Sequence, residues 1–367
     1  MNKEPVKFSH SELPKVGVLL TNLGTPDEPT PEALKRYLKE FLWDPRIVEI
    51  PRPIWWFILN GIILKTRPAK SAEAYKSIWT ETGSPLLSIS KKQRAAVEAN
   101  LSKRVKCPLV VSLGMRYGNP SIESALTELR QANVQKLVVL PLYPQSAAAS
   151  TLSTFDAVAK TYEQWRYIPE TRFINHYHDN ADYIASLVKS IQQFWDENGK
   201  PEQLMFSFHG IPKRALYAGD AYYCQCQKTA RLISEALNLE EEKWIVVFQS
   251  RFGREKWLQP YASDTLEKLG KEGLDSIDVV CPGFSADCLE TLEEMAVENK
   301  EVFKQAGGGQ YRYISALNDN DDHIQMISNL LFQNLQGWPE ITEWDEEQEQ
   351  EKANARTYRA KKLGAKR

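Results

Sequence analysis

The stretch LMFSFHGIPKRALYAGDAYY, from Leu204 to Tyr223, decides the fold that we predict for this chain. Its apolar start, Leu204 to Phe206, is typical of a strand buried on both faces of a parallel sheet, because such strands are continuously apolar. The strand stops at His209, and Pro212 follows closely. In an open α/β sheet, ligands bind just outside the carboxyl ends of the strands. His209 is therefore predicted to lie where such folds carry out chemistry.

Two interpretations of His209 are open. Histidine suits proton transfer near neutral pH, but an isolated histidine is more often one that is hydrogen-bonded beneath a loop. The Gly-Ile-Pro that follows it and the turn at Gly219 and Asp220 favour the functional interpretation.

Length, charge and cysteine content limit the class of protein. With 367 residues and 42% hydrophobic content, the chain can bury a sizeable core, and we expect two domains. A net charge of -2 gives no general electrostatic case for nucleic acid. Five cysteines, an odd number, argue against a disulfide framework and for a reducing compartment. The first fifteen residues are polar, so we predict a cytoplasmic protein.

The longest apolar stretch, IWWFILNGIIL from Ile54 to Leu64, is too short to span a bilayer as a helix. Basic residues flank it at Arg52, Lys65 and Arg67. It is either a core helix or an exposed apolar lip for a greasy ligand or a membrane surface. Composition does not decide between the two.

The second half of the chain repeats the first. Three short motifs return in the same order, at offsets of 135, 141 and 140 residues. They are RYG (116–118) and RFG (251–253), VVLPLY (138–143) and VVCPGF (279–284), and FINHYHDNADYI (173–184) and YISALNDNDDHI (313–324). Three matches at nearly one spacing indicate that a whole domain was duplicated.

Strands and helices alternate within each half, which predicts parallel sheets built from right-handed βαβ units. We therefore expect an α/β fold of two similar Rossmann-like lobes, each a parallel sheet flanked by helices, with the active-site cleft between them. The predicted units are an N-terminal lobe (14–170) with an apolar lip at about 52–66, a C-terminal lobe (171–335) and a charged tail (336–367). Within it, residues 343–367 run from an acidic block to a basic one, and we interpret them as a solvated, partly helical or disordered extension.

Acidic residues follow the apolar strand that ends at Cys281. We expect a helix to begin near Asp287, and Asp287, Glu290, Glu294 and Glu298 are then spaced to share one face of that helix. Like charges at this spacing destabilise a helix unless a divalent cation, a proton or basic side chains neutralise them. Solvated surface is the common explanation, but this helix starts at the same sheet edge as the histidine.

One histidine and one carboxylate from two strand ends suit transient binding of a divalent first-row metal. Such a pair lacks the three or four ligands of a structural zinc site, so the metal should be exchangeable. His176 and His178 are weaker candidates, because the repeat replaces them with Ala316 and Asn318. We interpret them as structural or surface residues.

Other chemistry has little support. Cys224 and Cys226 form a lone CxC motif, which is a weak metal signal, and buried or reactive thiols are the favoured interpretation. Walker, GxGxxG, GxSxG and HExxH motifs are absent from the sequence. Tyr143, Phe206 and Trp257 supply flat aromatic surface for a large planar ligand, although most such residues form cores.

The chain resembles the ferrochelatase family from about residue 16 to residue 335. The family signature is matched by Ser207, by HGIP at 209–212 and by GDAY at 219–222. A second family motif is matched by FSAD at 284–287 and ETLEE at 290–294. Positions that line the family's cleft are matched by Arg116-Tyr117, Tyr143-Pro144-Gln145 and Gln249-Ser250-Arg251.

The resemblance implies a chelatase-like fold that inserts Fe²⁺ into protoporphyrin IX to give protohaem. It implies that His209 and Glu290 hold the metal and that Glu294 and Asp287 assist catalysis. The substrate-binding residues that it implies are Leu23, Arg116, Tyr117, Tyr143, Gln145, Ser207 and Trp257. Iron is then a substrate, and no organic cofactor is expected. We expect a monomer or a homodimer. It either remains in the cytoplasm or contacts the inner face of the cell membrane peripherally.

Some positions depart from the family pattern. No cysteine follows Cys288, so we expect no [2Fe–2S] cluster, although Cys224 and Cys226 keep an internal cluster open. Cys288 stands where relatives often have histidine, which removes a proton-relay group. The stretch from Thr21 to Gly24 lacks the tyrosine of the coproporphyrin-using branch, which favours protoporphyrin. The alternatives are a cobalt or nickel chelatase and a non-catalytic haem or porphyrin carrier.

Overall fold

Two parallel sheets organise the computed structural model, which describes residues 9–253 and 255–365. The strands of the described residues are β1 (Lys15–Thr25), β2 (Leu109–Gly118), β3 (Val134–Pro141), β4 (Glu170–Phe173), β5 (Gln203–His209), β6 (Trp244–Gln249), β7 (Ser276–Val280) and β8 (Gln310–Ile314). The first sheet has the order β2-β1-β3-β4 and the second has the order β6-β5-β7-β8. All strand pairs within these sheets are parallel.

Helices connect successive strands, as the alternating pattern predicts. In the first half they are α1 (Pro31–Trp43), α2 (Arg52–Ile58), α3 (Leu64–Ile78), α4 (Pro85–Leu101), α5 (Ile122–Gln131) and α6 (Ser153–Tyr162), with π-helical turns at Leu59–Ile63 and Ala148–Leu152. In the second half they are α7 (Ala181–Asn198), α8 (Lys213–Tyr217), α9 (Tyr222–Ala236), α10 (Ala262–Lys271), α11 (Asn299–Gln305), α12 (Asp321–Leu335) and α13 (Glu346–Lys362), with a π-helical segment at Glu290–Glu298. Thr30 caps α1, since its side chain accepts a hydrogen bond from the backbone of Ala33.

The central strand β5 explains the continuous apolar run in the sequence. Phe206 pairs with Val246 on one side and Val280 on the other, and all three side chains are buried. Helices cover both faces of this sheet, so consecutive side chains of the strand are buried. The strand therefore does not alternate apolar and polar residues. The strand continues through His209, which places this histidine at its carboxyl end.

The two sheets confirm the two-lobed α/β fold. Their strand orders are the same when β1 to β4 are matched in turn with β5 to β8. The repeated motifs occupy matching places, since Arg116 lies near the end of β2 and Arg251 follows β6. The lobe boundaries themselves stay predictions.

Hydrogen bonds join the lobes on either side of the cleft. Gln93 of α4 donates through its side-chain amide to the carbonyl oxygen of Ser285, at 3.0 Å. The backbone of Ala148 donates to the carboxylate of Asp220, at 2.8 Å. These contacts fix the separation of the two sheet edges and therefore the width of the cleft.

The segment after α12 packs back onto the first lobe. Trp338 and Ile341 are buried, and Glu340 pairs with Lys136 at 2.6 Å. The guanidinium of Arg356 in α13 donates to the carbonyl of His10. Trp338 and Ile341, which precede the predicted extension, therefore belong to the core, and the extension itself is helical from Glu346 to Lys362. None of the described helices combines the length and apolarity that crossing a bilayer requires.

His323 in α12 makes stability dependent on pH. Burial lowers the pKa of His323 from 6.5 to about 4. Above pH 6.5 the ring is neutral in both the folded and the unfolded chain, and below it only the unfolded chain gains the proton until pH 4. The free energy of unfolding should therefore fall by up to about 3 kcal/mol between pH 6.5 and pH 4 through this residue alone.

His323→Gln removes this titration and keeps a donor for the backbone carbonyl of Asn318, which the ring nitrogen Nδ1 contacts at 2.7 Å. In urea unfolding at pH 7 and pH 4.5, the variant should lose less stability on acidification than the parent. An equal loss in both proteins would contradict the prediction.

Candidate active site between the lobes

His209 and Glu290 line the same cavity between the two sheet edges. His209 ends β5, and Glu290 is the first residue of the π-helical segment that follows β7. The cavity measures about 140 Å³, and the first lobe contributes Leu23, Tyr143 and Gln145 to its wall. The structure therefore brings five of the predicted site residues to one place.

A second cavity of about 460 Å³ adjoins the first. Both are lined by Phe41, Ile47, Ala149, His209 and Ile211. Trp257, another predicted site residue, lines the larger one. The shared residues make the two cavities one apolar cleft. No signal in the sequence marked Phe41, on α1, or Ile47, in the turn that follows it, because apolar residues usually form core.

The hydrogen bonding of His209 sets its tautomer. Its ring nitrogen Nδ1 lies 2.7 Å from the carbonyl oxygen of Gly210. Since a carbonyl can only accept, Nδ1 carries the proton, which leaves the lone pair of Nε2 for a proton or a metal. The hydroxyl of Tyr222 donates to the backbone carbonyl of His209 at 2.9 Å and holds the strand end in place.

Gln249 joins the histidine strand to the acidic segment. Its side-chain oxygen accepts from the hydroxyl of Ser207 at 2.7 Å, and its amide nitrogen donates to the backbone carbonyl of Glu290 at 2.8 Å. Ser207 is fully buried. Although Ser207 is predicted to bind substrate, the structure places it beneath the cleft, where it positions Gln249.

Glu294 is held beside the cleft. The backbone N–H of Ser250 donates to one oxygen of its carboxylate at 2.6 Å, and the hydroxyl of Ser250 donates to the other. Burial raises the pKa of Glu294, and the negative charge of Glu290 raises it further. Glu294 and Glu298 line a separate cavity of about 480 Å³, so the segment from Glu290 to Glu298 connects two cavities.

Asp287 lies outside this acidic line, and the prediction that four carboxylates share one helix face is wrong. The helix begins at Leu289, after Asp287, and continues as a π-helix rather than an α-helix. The carboxylate of Asp287 accepts hydrogen bonds from Thr291, Tyr313 and Asn318 at 2.7 to 2.9 Å. These bonds fix the start of the segment that carries Glu290.

Arg116 and Tyr117 form a network in the first lobe. The guanidinium of Arg116 lies over the ring of Tyr117 and donates to the carboxylate of Asp44 and to the hydroxyl of Ser153. The Tyr117 hydroxyl donates to the same carboxylate at 2.8 Å. Burial alone would raise the pKa of Asp44, but hydrogen bonds from the Ser153 hydroxyl, the Arg46 backbone and the Tyr117 hydroxyl, together with the charge of Arg116, lower it. Nothing in the sequence pointed to Asp44, because its partners are distant along the chain.

Known proteins resemble this chain in sequence and in fold. The model of the ferrochelatase family matches residues 15–335. A ferrochelatase of Thioalkalivibrio sulfidiphilus is 53% identical over 98% of each chain. A ferrochelatase of Nitrosococcus oceani is 53% identical over 91% of this chain and 90% of its own. The solved structure of SirB from Bacillus subtilis with Fe³⁺ has a TM-score of 0.50 at 11% identity, covering 90% of this chain and 96% of that one, and supports the fold alone.

Gly210 offers a test of how the histidine is positioned. Its backbone N–H donates to the carbonyl oxygen of Gln249 at 2.8 Å, and a Cβ atom on Gly210 would meet that oxygen at 2.8 Å and the Trp257 ring at 3.0 Å. Gly210→Ala should therefore shift the strand end and cost about 1–3 kcal/mol of unfolding free energy. Thermal or urea unfolding measures this cost.

Gly61→Ala is the matched control, because a Cβ atom there meets no atom within 4 Å. We expect it to leave stability unchanged or slightly raised. Equal stability of the two alanine variants would show that the close approach at Gly210 is not a constraint.

Proposed function

The chain belongs to the ferrochelatase family, and we propose that it inserts Fe²⁺ into protoporphyrin IX to give protohaem, the terminal step of haem synthesis. The observation that carries this proposal is the pairing of His209 and Glu290 in one apolar cleft. The imidazole offers a base, the carboxylate offers a negative charge, and the apolar walls accept a large planar ring.

His209 acts as the proton acceptor in the proposed reaction. Metallation replaces two pyrrole N–H protons by one Fe²⁺, so two protons must leave the ring. Once the iron has passed from Nε2 to the pyrrole nitrogens, the lone pair of Nε2 accepts the ring protons one at a time, and each passes on to the neighbouring carboxylates or to water while Nδ1–H remains bonded to the Gly210 carbonyl. That hydrogen bond also stabilises the positive charge that develops on the ring.

Glu290 and His209 together hold the incoming iron. A carboxylate oxygen and an imidazole nitrogen are ligands that suit Fe²⁺, and two protein ligands leave the ion free to exchange water for pyrrole nitrogens. Glu294 and Glu298 extend the acidic line from the cleft to the second cavity. We assign to them the passage of protons or metal, and to Asp287 the support of the helix start.

The first lobe holds the macrocycle. Leu23, Tyr143 and Gln145 contribute to the wall that faces His209, and Trp257 closes the larger part of the cleft. Bending the ring exposes its nitrogen lone pairs and lowers the barrier to metal entry. Arg116 and Tyr117 contribute through the network with Asp44, which fixes this wall.

The activity is tested anaerobically with protoporphyrin IX and Fe²⁺, followed by porphyrin fluorescence and the Soret band. Glu290→Gln and His209→Ala should each lower the rate at least about 100-fold, because each removes a metal ligand and His209 is also the base. Glu301→Gln, an exposed residue of α11, is the matched control and should retain the parent rate.

Other results would change the assignment. A shifted Soret band without metallation would indicate a porphyrin carrier. Faster insertion of Co²⁺ or Ni²⁺ than of Fe²⁺ would indicate one of the rival chelatases. Faster reaction with coproporphyrin than with protoporphyrin IX would overturn the proposed substrate.

We also propose that the apolar lip contacts a membrane surface peripherally. The stretch has two sides. Trp55 and Leu59 are buried, whereas Trp56 and Phe57 are exposed, with 69% of Phe57 accessible. Exposed aromatic side chains beside basic residues are typical of proteins that bind at lipid interfaces. An apolar substrate could then pass between membrane and cleft without crossing water.

Vesicle sedimentation tests the lip. Phe57→Ser with Ile62→Ser removes two exposed apolar side chains and should weaken binding to phosphatidylglycerol vesicles at least about tenfold, by loss of buried apolar area. Leu363→Ser, which alters an apolar side chain that is 91% exposed and lies outside the lip, is the control and should bind like the parent. Equal binding by all three proteins would contradict the proposal.

A further inference from the structure

We propose that His176, His178 and Asp179 form a second divalent-metal site, separate from the cleft. One ligand atom from each of the three side chains lies within 4.8 Å of the others. His209 and Glu290 do not contribute to this cluster, so the inference is independent of the proposed function. The site would take a first-row metal ion of the Zn²⁺ or Fe²⁺ class.

The chain segment between β4 and α7 brings the three residues together. Histidines at alternate positions of a non-helical segment can point to the same side, and the rings of His176 and His178 lie 4.9 Å apart at 58° to one another. Asp179 follows directly, and Asn180 caps α7 by accepting from the backbone of Tyr183. The segment is therefore anchored at its helical end.

His178 supplies the observation that points to a ligand. Only 6% of this residue is exposed, and its Nδ1 atom has no hydrogen-bond partner among the described residues. A buried polar atom normally has a partner. Nδ1 lies 3.8 Å from Oδ1 of Asp179, which is too long for a hydrogen bond.

A metal ion fits this separation. Two ligands at about 2.1 Å from one ion lie at most about 4.2 Å apart, so Nδ1 of His178 and Oδ1 of Asp179 can share it. The third ligand comes from His176, which is exposed and can turn toward the ion. Water can complete the coordination from the solvent side.

Asp179 is already oriented for this role. Its Oδ2 atom binds the ammonium group of Lys228 at 2.5 Å. This ion pair holds the carboxylate so that Oδ1 is the oxygen nearer to His178. One oxygen thus fixes the side chain while the other remains available to a cation.

Backbone contacts connect the cluster to the cleft wall. The hydroxyl of Thr229 donates to the carbonyl of His178 at 2.8 Å and accepts from the side-chain amide of Gln145 at 3.0 Å. Gln145 lines the cavity that contains His209. The buried histidine is therefore held by a hydroxyl that also contacts the wall of the cleft.

The ligand set determines the class of metal. Two imidazoles and one carboxylate favour Zn²⁺, Fe²⁺, Co²⁺ or Ni²⁺ over Mg²⁺ and Ca²⁺, which prefer oxygen ligands. A closed structural zinc site would need a fourth protein ligand, and the described residues of this cluster offer three. The metal should therefore exchange with solution.

Equilibrium dialysis with Zn²⁺ tests the site in the full chain carrying His209→Ala and Glu290→Gln, which removes the metal pair in the cleft. This parent should retain one Zn²⁺ per chain. Adding His176→Ala or Asp179→Asn should weaken binding at least about tenfold, since each removes a ligand. Both side chains are exposed, so neither change opens a cavity in the core.

His10→Ala in the same parent is the matched control, because it removes a histidine that is not part of the cluster. It should leave Zn²⁺ affinity unchanged. Co²⁺ bound to the parent should show visible absorption that His176→Ala abolishes. Absence of Zn²⁺ binding in the parent, or equal loss in His176→Ala and His10→Ala, would overturn the proposal without affecting the assignment of His209 and Glu290.

Discussion

One residue, Gln249, links His209 and Glu290, the pair to which we assign the proposed reaction. Its backbone carbonyl accepts the N–H of Gly210, and its side-chain amide donates to the carbonyl of Glu290. The first bond fixes Gly210, whose carbonyl accepts the hydrogen bond from Nδ1–H of His209, and the second fixes the start of the acidic segment. Because Gln249 ends β6, the neighbour of β5, the parallel sheet itself sets the position of both groups. Chemistry in the cleft therefore depends on strand pairing rather than on flexible loops.

This arrangement keeps negative charge in an apolar environment. Among the described residues, Glu290 forms no ion pair with Lys or Arg, and its charge, added to the effect of burial, raises the pKa of Tyr37 and Tyr75. Burial and the same charge raise the pKa of Glu294. Charges interact more strongly where water is excluded. The cleft thus favours an incoming cation, and in the proposed reaction that cation is Fe²⁺ or the protonated ring of His209.

The sequence predicted the structure correctly where a local pattern reports burial. It did not predict the positions of residues that are set by contacts with distant parts of the chain. The apolar run before His209 and the spaced repeats predicted the sheets, because strand burial and duplication leave direct traces in sequence. The assumption of α-helical spacing misplaced Asp287, since nothing local distinguishes a π-helical segment from an α-helix. The buried network of Arg116 depends on Asp44, 72 residues away along the chain. The stretch from Ile54 to Leu64 could not be assigned to core or to an exposed lip because it contributes to both. Of its adjacent residues, Trp55 is buried and Trp56 is exposed.

Duplication gave two similar sheets, but only one lobe supplies the reactive groups. His209 and Glu290 both come from the second lobe, so in the proposed reaction the base and the metal ligand lie on one side of the cleft. Near the corresponding end of β1, the first lobe carries Asn22, whose amide accepts from the backbone of Leu23 and donates to Ser90. A neutral amide does not accept a proton near neutral pH. This asymmetry suits the proposed reaction, because the side of the cleft formed by the second lobe must admit the ion while the side formed by the first lobe holds the macrocycle.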